Sequence, residues 1–354
     1  MRCFLPARCY TGLPSELGSK RRLNDWLFSH YASLRPINSW VSKVAIDAFR
    51  GSGSVSLLLK TFFHELHSND ISQVSWWVGQ GLLANQHQHL PKALLETLLL
   101  APDVVGVAQA DLSPSVFSTR HAQALDRWLA VAQATHDPIH QALLYCLIIR
   151  CAKAFVGFPT TLGTSNRPLA EALDGIRDWA AINPKRLQDQ SVARLLLPTG
   201  TILMREAEKL NRSVIQGAPV TLYRQDAVTF LQSTPADVVY LDPPYAGTTA
   251  YESSNRVLNR LLGEDTQQGS SRFSQSTDSL RELFNASQHI PDWILSYGSK
   301  AIDLDSLVAL VQQHAGHRKV VGFQKQYTHL SHVSQDTDHH ELLIIAISED
   351  TPWN

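Results

Sequence analysis

The chain has 354 residues, 44% of them hydrophobic and 18% charged, which is enough apolar material for a sizeable globular core. With 31 Lys and Arg against 32 Asp and Glu, it has no bulk attraction for polyanions, so any nucleic-acid binding needs a local basic patch. Its four cysteines (Cys3, Cys9, Cys146 and Cys151) form no CxxC pair, which speaks against zinc or a disulfide framework and for a reducing cytoplasm.

The N-terminus lacks a continuous apolar stretch, so no signal peptide is expected, and no apolar run approaches membrane-spanning length. From Val44 the sequence reads "VAIDAFRGSGSVSLLLK": a short strand, a Gly/Ser turn, then helical apolar spacing. "FHELHSND" alternates as a second strand, and "SQVSWWVGQGLLANQ" follows as a helix whose Trp pair reads as core rather than as a stacking platform. Between about 90 and 215 the apolar spacing turns helical throughout, punctuated by Pro and Gly. Strand and helix then alternate through "VTLYR", "DAVTFLQS" and "DVVYL". Residues 246–279 are rich in Ser, Gln and Gly and read as a mobile loop. Beyond it come helix, strand, helix and two strands, the last with no helix before it and so open to antiparallel pairing.

This order predicts an α/β fold: a Rossmann-like doubly wound sheet interrupted by a mostly helical insertion. Residues 1–88 and 216–354 would form the sheet domain, and 89–215 the insertion.

Four features carry chemistry. Gly51-Ser52-Gly53 follows a strand and opens a helix, which suits close backbone approach to a ligand or simply a tight βα turn. Asp70 ends the second strand nearly 20 residues later, where an acid accepts from ribose hydroxyls, caps the next helix, or does both. Asp226 ends a third strand with the same two readings.

The decisive feature is "DPPY", Asp242–Tyr245. The lone pair of an exocyclic amine on adenine or cytosine is conjugated with the ring, so the nitrogen is a poor nucleophile. A carboxylate and a carbonyl that both accept its N–H bonds push it toward sp³ geometry and free the lone pair. Asp242 supplies the carboxylate. Pro243 has no N–H and a fixed φ that aims its carbonyl; Pro244 keeps Pro243 extended. Tyr245 offers a ring on which an extruded base can stack.

Taken together these residues resemble the S-adenosylmethionine-dependent N6-adenine DNA methyltransferases, specifically the Dam-like class, whose glycine motif precedes the DPPY motif. The resemblance implies that Phe49, Gly51, Ser52 and Gly53 line the methionine part of S-adenosyl-L-methionine, with Asp70 on its ribose and Asp226 near its adenine. "LGSKRRLNDWL" resembles the family's opening turn and helix, which puts Lys20 near the cofactor and the target base. "HHELLIIA" resembles its closing strand.

The family's function would then be adenine-N6 methylation of DNA by base flipping and in-line transfer. RNA adenine, cytosine N4, or a catalytically silent nucleic-acid-binding subunit are the alternatives. C5-cytosine chemistry needs a cysteine nucleophile, typically after a proline, and none of the four cysteines follows one.

The insertion stands where this class carries its DNA target-recognition region. From Arg120 to Arg212 there are 12 Lys and Arg against 8 Asp and Glu, a local excess that is either a DNA face or a solvated helical one. Lys185 and Arg186 are candidate phosphate contacts, and Tyr251 and Arg256, with Arg260 and Arg272, could clamp a flipped base. His87/His89 and His339/His340 lack the spacing of a helical zinc motif, and sulfonium methyl transfer needs no metal. A monomer, with a possible restriction or defence-system partner, is expected.

Overall fold

Seven strands form one sheet in the order β3-β2-β1-β4-β5-β7-β6. They are β1 (Val44–Asp47), β2 (Glu65–Asn69), β3 (Val220–Tyr223), β4 (Val238–Leu241), β5 (Asp292–Gly298), β6 (Arg318–Gln326) and β7 (His340–Ser348). The structure is a computed structural model that describes residues 3–14, 19–155, 197–246, 251–264, 272–326, 340–350 and 353. Strands β1 to β5 run parallel, and β7 pairs antiparallel with both β5 and β6. This is the doubly wound α/β fold that the sequence predicts, closing strand included.

Both faces of the sheet are covered, as parallel sheets require. Alternate residues of each strand serve opposite layers. In β4, Val239 and Leu241 pack with Phe230, Leu283, Phe284 and Leu307 on one side. Val238 and Tyr240 pack with Leu27, Phe28, Trp40 and Leu58 on the other. The second layer comes from α1 (Asn24–Leu34), α2 (Ile37–Trp40) and α3 (Ser54–Phe62).

After β2 come α4 (Gln73–Val78), which widens into a π-type turn, then α5 (Lys92–Leu100), α6 (Val107–Asp111), α7 (Thr119–Ala134), α8 (Pro138–Phe155) and α9 (Thr199–Asn211). These helices share one continuous core with Leu57 of α3 and with Val74 and Val78 of α4. Trp77 stacks on Tyr145 of α8 at 4.1 Å, so this member of the Trp pair packs, against α8 rather than the sheet.

The expectation of a loop over 246–279 needs correction. Its described residues hold two helices, α11 (Tyr251–Leu261) and α12 (Arg272–Gln275), in a chain where Ala227–Ser233 is α10. Polar composition hid an apolar stripe: Leu258 and Leu261 are buried in the insertion's core, with Val257 and Leu262 packed beside them. Helices α13 (Ser279–Ala286) and α14 (Leu304–His314) complete the first layer. Among the described residues no helix is long and apolar enough to cross a membrane.

The strand order reverses between β1 and β4. The carboxyl ends of these two neighbours therefore bound the crevice where ligands of open α/β sheets bind.

Candidate active site

β1 ends at Asp47, which is fully buried. Ser56 donates to it at 2.6 Å and the Phe49 backbone N–H at 3.3 Å. Burial pushes its pKa up to about 7, and the negative charge of Asp242 adds to the push. The chain then turns with positive φ at Gly51 and Gly53, the latter at +81°. An L side chain there costs about 1–2 kcal/mol. Its Cβ would also press on Val78 at 3.3 Å.

Asp70 stands just past β2 and does two structural jobs. One oxygen accepts from Gly51 N at 2.7 Å and the other from Ser72 N at 2.8 Å. Each carboxylate oxygen keeps a further lone pair. Arg50, which sequence reasoning passed over, is buried and fastens the same turn: it donates to Ser75 and to the Ser68 carbonyl. Phe49 packs edge-on against Phe273 at 5.5 Å. The Ser52 hydroxyl lies 3.3 Å from that of Ser19, next to Lys20.

Asp226 takes the capping reading: it accepts from Val228 N and Thr229 N at the start of α10, and Arg272 pairs with it at 3.0 Å.

β4 delivers Asp242 to the sheet edge, and a polar cluster closes around it. Lys20 is buried and donates to Tyr245 Oη at 2.7 Å and to Asp242 Oδ1 at 2.9 Å, and lies 3.3 Å from Glu341 Oε1. The Tyr245 hydroxyl is 2.7 Å from Glu341 Oε1 and 3.2 Å from Asp242 Oδ1. Ser296 donates to the same Glu341 oxygen. Every hydrogen bond to Asp242 falls on Oδ1, and among the described residues none reaches Oδ2.

Burial pushes the Asp242 pKa up to about 6; Lys20 pulls it down and Glu341 pushes it up again. The side chain is still 17% exposed, so solvent tempers that rise. Burial lowers the Lys20 pKa, but Asp242 and Glu341 outweigh burial and hold it above its ordinary value.

Tyr245 is half-buried. Its ring tilts on Tyr297 at 4.9 Å and lies flush against Gly298, where a Cβ would come within 2.5 Å of it. The base-stacking ring expected from sequence is thus folded into the cluster by its hydroxyl.

Glu341 is the member of this cluster that sequence reasoning missed. Its signal was present: an acid heading the otherwise apolar run of a central strand, itself buried. Of the candidate DNA contacts, Lys185 and Arg186 lie outside the described residues, as does the Tyr251 side chain. Arg256 is exposed on α11, whereas Arg260 pairs with Asp111 and Arg272 with Asp226 and Glu282.

Residues 198–308 match the family model described as D12 class N6 adenine-specific DNA methyltransferase. Over 337 residues the chain is 21% identical to "Type II methyltransferase M2.HphI" of Haemophilus parahaemolyticus, spanning 94% of this chain and 96% of that protein. Solved structures with likeness to it include the rRNA methyltransferase aviRa of Streptomyces viridochromogenes, at 12% identity and TM-score 0.38 over 97% of this chain and 93% of that one. A putative methyltransferase, yhhF of Escherichia coli, reaches 10% identity and TM-score 0.29 over 95% and 92%. The two structural scores add nothing to the topology already described. The family match runs from the start of α9 through the DPPY corner into α14, so the stretch that carries the polar cluster around Asp242 is the stretch similar to the D12 class of N6 adenine-specific DNA methyltransferases.

Proposed function

We propose that the protein binds S-adenosyl-L-methionine at the carboxyl ends of β1 and β2 and methylates a flipped adenine of DNA at N6, with Asp242 as the amine acceptor. The observation that carries this reading is the one-sided tethering of Asp242. Lys20 holds Oδ1, with the Tyr245 hydroxyl beside it at 3.2 Å, and Oδ2 is left for an incoming amine N–H.

The residues fit the cofactor. Asp70 has spare acceptor capacity for ribose hydroxyls beside a turn whose positive φ at Gly53 disfavours a side chain. Phe49, Gly51, Ser52 and Gly53 would line its methionine part, with Asp226 toward the adenine. When bound, the cofactor supplies a sulfonium methyl that the N6 lone pair attacks in line as the carbon–sulfur bond breaks.

Oδ2 of Asp242 and the Pro243 carbonyl accept the two N–H bonds of the amine and localise its lone pair. Pro243 and Pro244 keep that carbonyl fixed. Burial of the corner strengthens each of these contacts. Tyr245 offers its ring to the base while its hydroxyl stays in the cluster. The insertion, 89–215, presents DNA to this corner, with Lys185, Arg186, Tyr251 and Arg256 as contacts to backbone or base.

Unmethylated DNA incubated with labelled cofactor, digested and read by nucleoside mass spectrometry, is expected to yield N6-methyladenine. Asp242→Ala should lower the single-turnover rate by about 10²-fold or more, the scale of losing a preorganised polar partner. Product at cytosine N4, or full activity in the Asp242 variant, overturns the proposal.

A further inference from the structure

A tyrosine hydroxyl has one proton, and Tyr245 faces two carboxylates. Glu341 Oε1 is the nearer at 2.7 Å; Asp242 Oδ1 is at 3.2 Å. Lys20 donates to the same hydroxyl oxygen at 2.7 Å, so the Tyr245 proton must point away from Lys20 toward one of the two acids. Distance selects Glu341. Glu341 itself is fixed: it is 1% exposed, it accepts from Ser296, and its residue is paired in register with Gly298 of β5.

We infer that Glu341 is a positioning residue for methyl transfer: it draws the Tyr245 hydroxyl proton to itself and so keeps Asp242 available as proton acceptor for the target amine. The inference rests on the reading of Asp242 proposed above. Glu341 lies on the closing strand, and its carboxylate acts through Tyr245 and Lys20 rather than on the base.

The proton balance shows why this matters. As N6 bonds to the methyl carbon, the carbon–sulfur pair stays on sulfur and the nitrogen gains a positive charge with two hydrogens still attached. One of those protons must leave. It passes to Asp242 Oδ2, giving a neutral methylamino group and a neutral carboxylic acid. Asp242 then releases the proton to solvent through its 17% exposed side. An acid already holding a hydrogen bond from Tyr245 would be a weaker base for that step.

The charged and titratable groups around Asp242 are Lys20 from the N-terminal turn, Tyr240 from β4, Tyr245, Glu341 from β7 and Asp47 from β1. Two carboxylates share the single ammonium of Lys20 within hydrogen-bonding range, so removing the charge of Glu341 lets Lys20 favour Asp242 more strongly. The acid limb of the reaction should therefore move down.

The test compares wild type, Glu341→Gln and Ser296→Ala in single-turnover methylation from pH 5 to 9. A second readout, free of activity, is carboxyl carbon NMR of the cofactor-free protein titrated over the same range, with Asp242→Asn assigning the Asp242 signal. Glu341→Gln is expected to cut the rate at pH 7 about tenfold and to shift both the acid limb and the Asp242 titration down by about one pH unit, with KM for DNA and cofactor held within about twofold. Ser296→Ala frees Glu341 without removing charge and should give a smaller change in the same direction. A Glu341→Gln profile superimposed on wild type, or a lower rate with unmoved titration, overturns the inference. If wild type itself makes no N6-methyladenine, the proposed function falls, and the carboxyl titration still decides the Glu341 contact.

Discussion

Gly298 shows how little room the cluster has. A Cβ at this position would sit 2.5 Å from Tyr245 Cδ2 and 2.9 Å from Cε2, closer than real contacts allow. Gly298→Ala therefore forces the ring to move, and with it the hydroxyl that meets Lys20 and Glu341. Overpacking of this kind costs about 1–3 kcal/mol. The variant is expected to melt lower and to lose methyl-transfer rate, while its affinity for the cofactor, which the proposed function assigns to the β1 and β2 ends, stays unchanged. Equilibrium binding of the cofactor beside single-turnover kinetics checks this; equal loss in both would place the ring inside the cofactor pocket instead. The same strand supplies Ser296 and Tyr297 to the corner. Glu341 itself reaches Tyr245 across 96 residues. Nothing local in "HHELLIIAI" points to that meeting, because it is created by the antiparallel register of β7 on β5. The glycine turn, Asp70 and DPPY were legible because each is a short-range pattern at a strand end. Glu341 was not, because it acts through a long-range one.

At the level of elements the same division holds. All seven strands were legible from alternation and apolar runs, and the final strand declared its direction by lacking a helix before it. Helix α11 was missed because loop-forming residues on its flanks mask four apolar positions that only the insertion's core makes useful. Helix α7 carries a pH-sensitive feature that sequence could not show. His121 is 2% exposed and stacks on Phe155 of α8 at 4.2 Å, and neither ring nitrogen has a hydrogen-bond partner among the described residues. Burial, with Arg120 beside it, pushes its pKa down to about 4. The unfolded chain keeps the ordinary value near 6.5, so between pH 6.5 and about 4 it binds more protons than the folded one. Stability contributed here is full above pH 6.5 and falls as pH drops through that window. His121→Phe removes the titration and keeps a flat ring against Phe155. Hydrogen exchange of α7 and α8 is expected to accelerate from pH 6.5 to 4.5 in wild type and to change much less in the variant; equal acceleration in both would count against it.

Across the whole molecule, the helices after β2 and the sheet are joined at the glycine turn that follows β1. Arg150 of α8 donates to the Leu13 carbonyl at 2.6 Å and pairs with Glu206 of α9, which also accepts from Lys209 at 2.6 Å. Glu206 is buried, which raises its pKa, but Arg150 and Lys209 outweigh burial and hold it below its ordinary value. Leu13, so anchored, belongs to the core that holds Leu82, Leu83 and Val78, and it lies against Gly53, where a Cβ would come 3.8 Å from its side chain. The N-terminal segment is thus a strap that α8 holds over the glycine turn. Arg150→Ala leaves Glu206 with Lys209 alone and leaves the Leu13 carbonyl with Arg21, which donates to it at 2.7 Å. Breaking one side of such a buried pair costs about 3–5 kcal/mol. The loss is expected to appear at both ends of the molecule: a lower melting temperature, and a several-fold weaker affinity for the cofactor although Arg150 touches no cofactor residue. Arg150→Met, which keeps the apolar stem and removes the charge, should lose the same affinity because the Leu13 contact goes with it. Calorimetric titration with the cofactor separates the cases. Unchanged affinity in both variants would mean that packing of Leu13, with the Arg21 and Ser213 hydrogen bonds, holds the strap without Arg150.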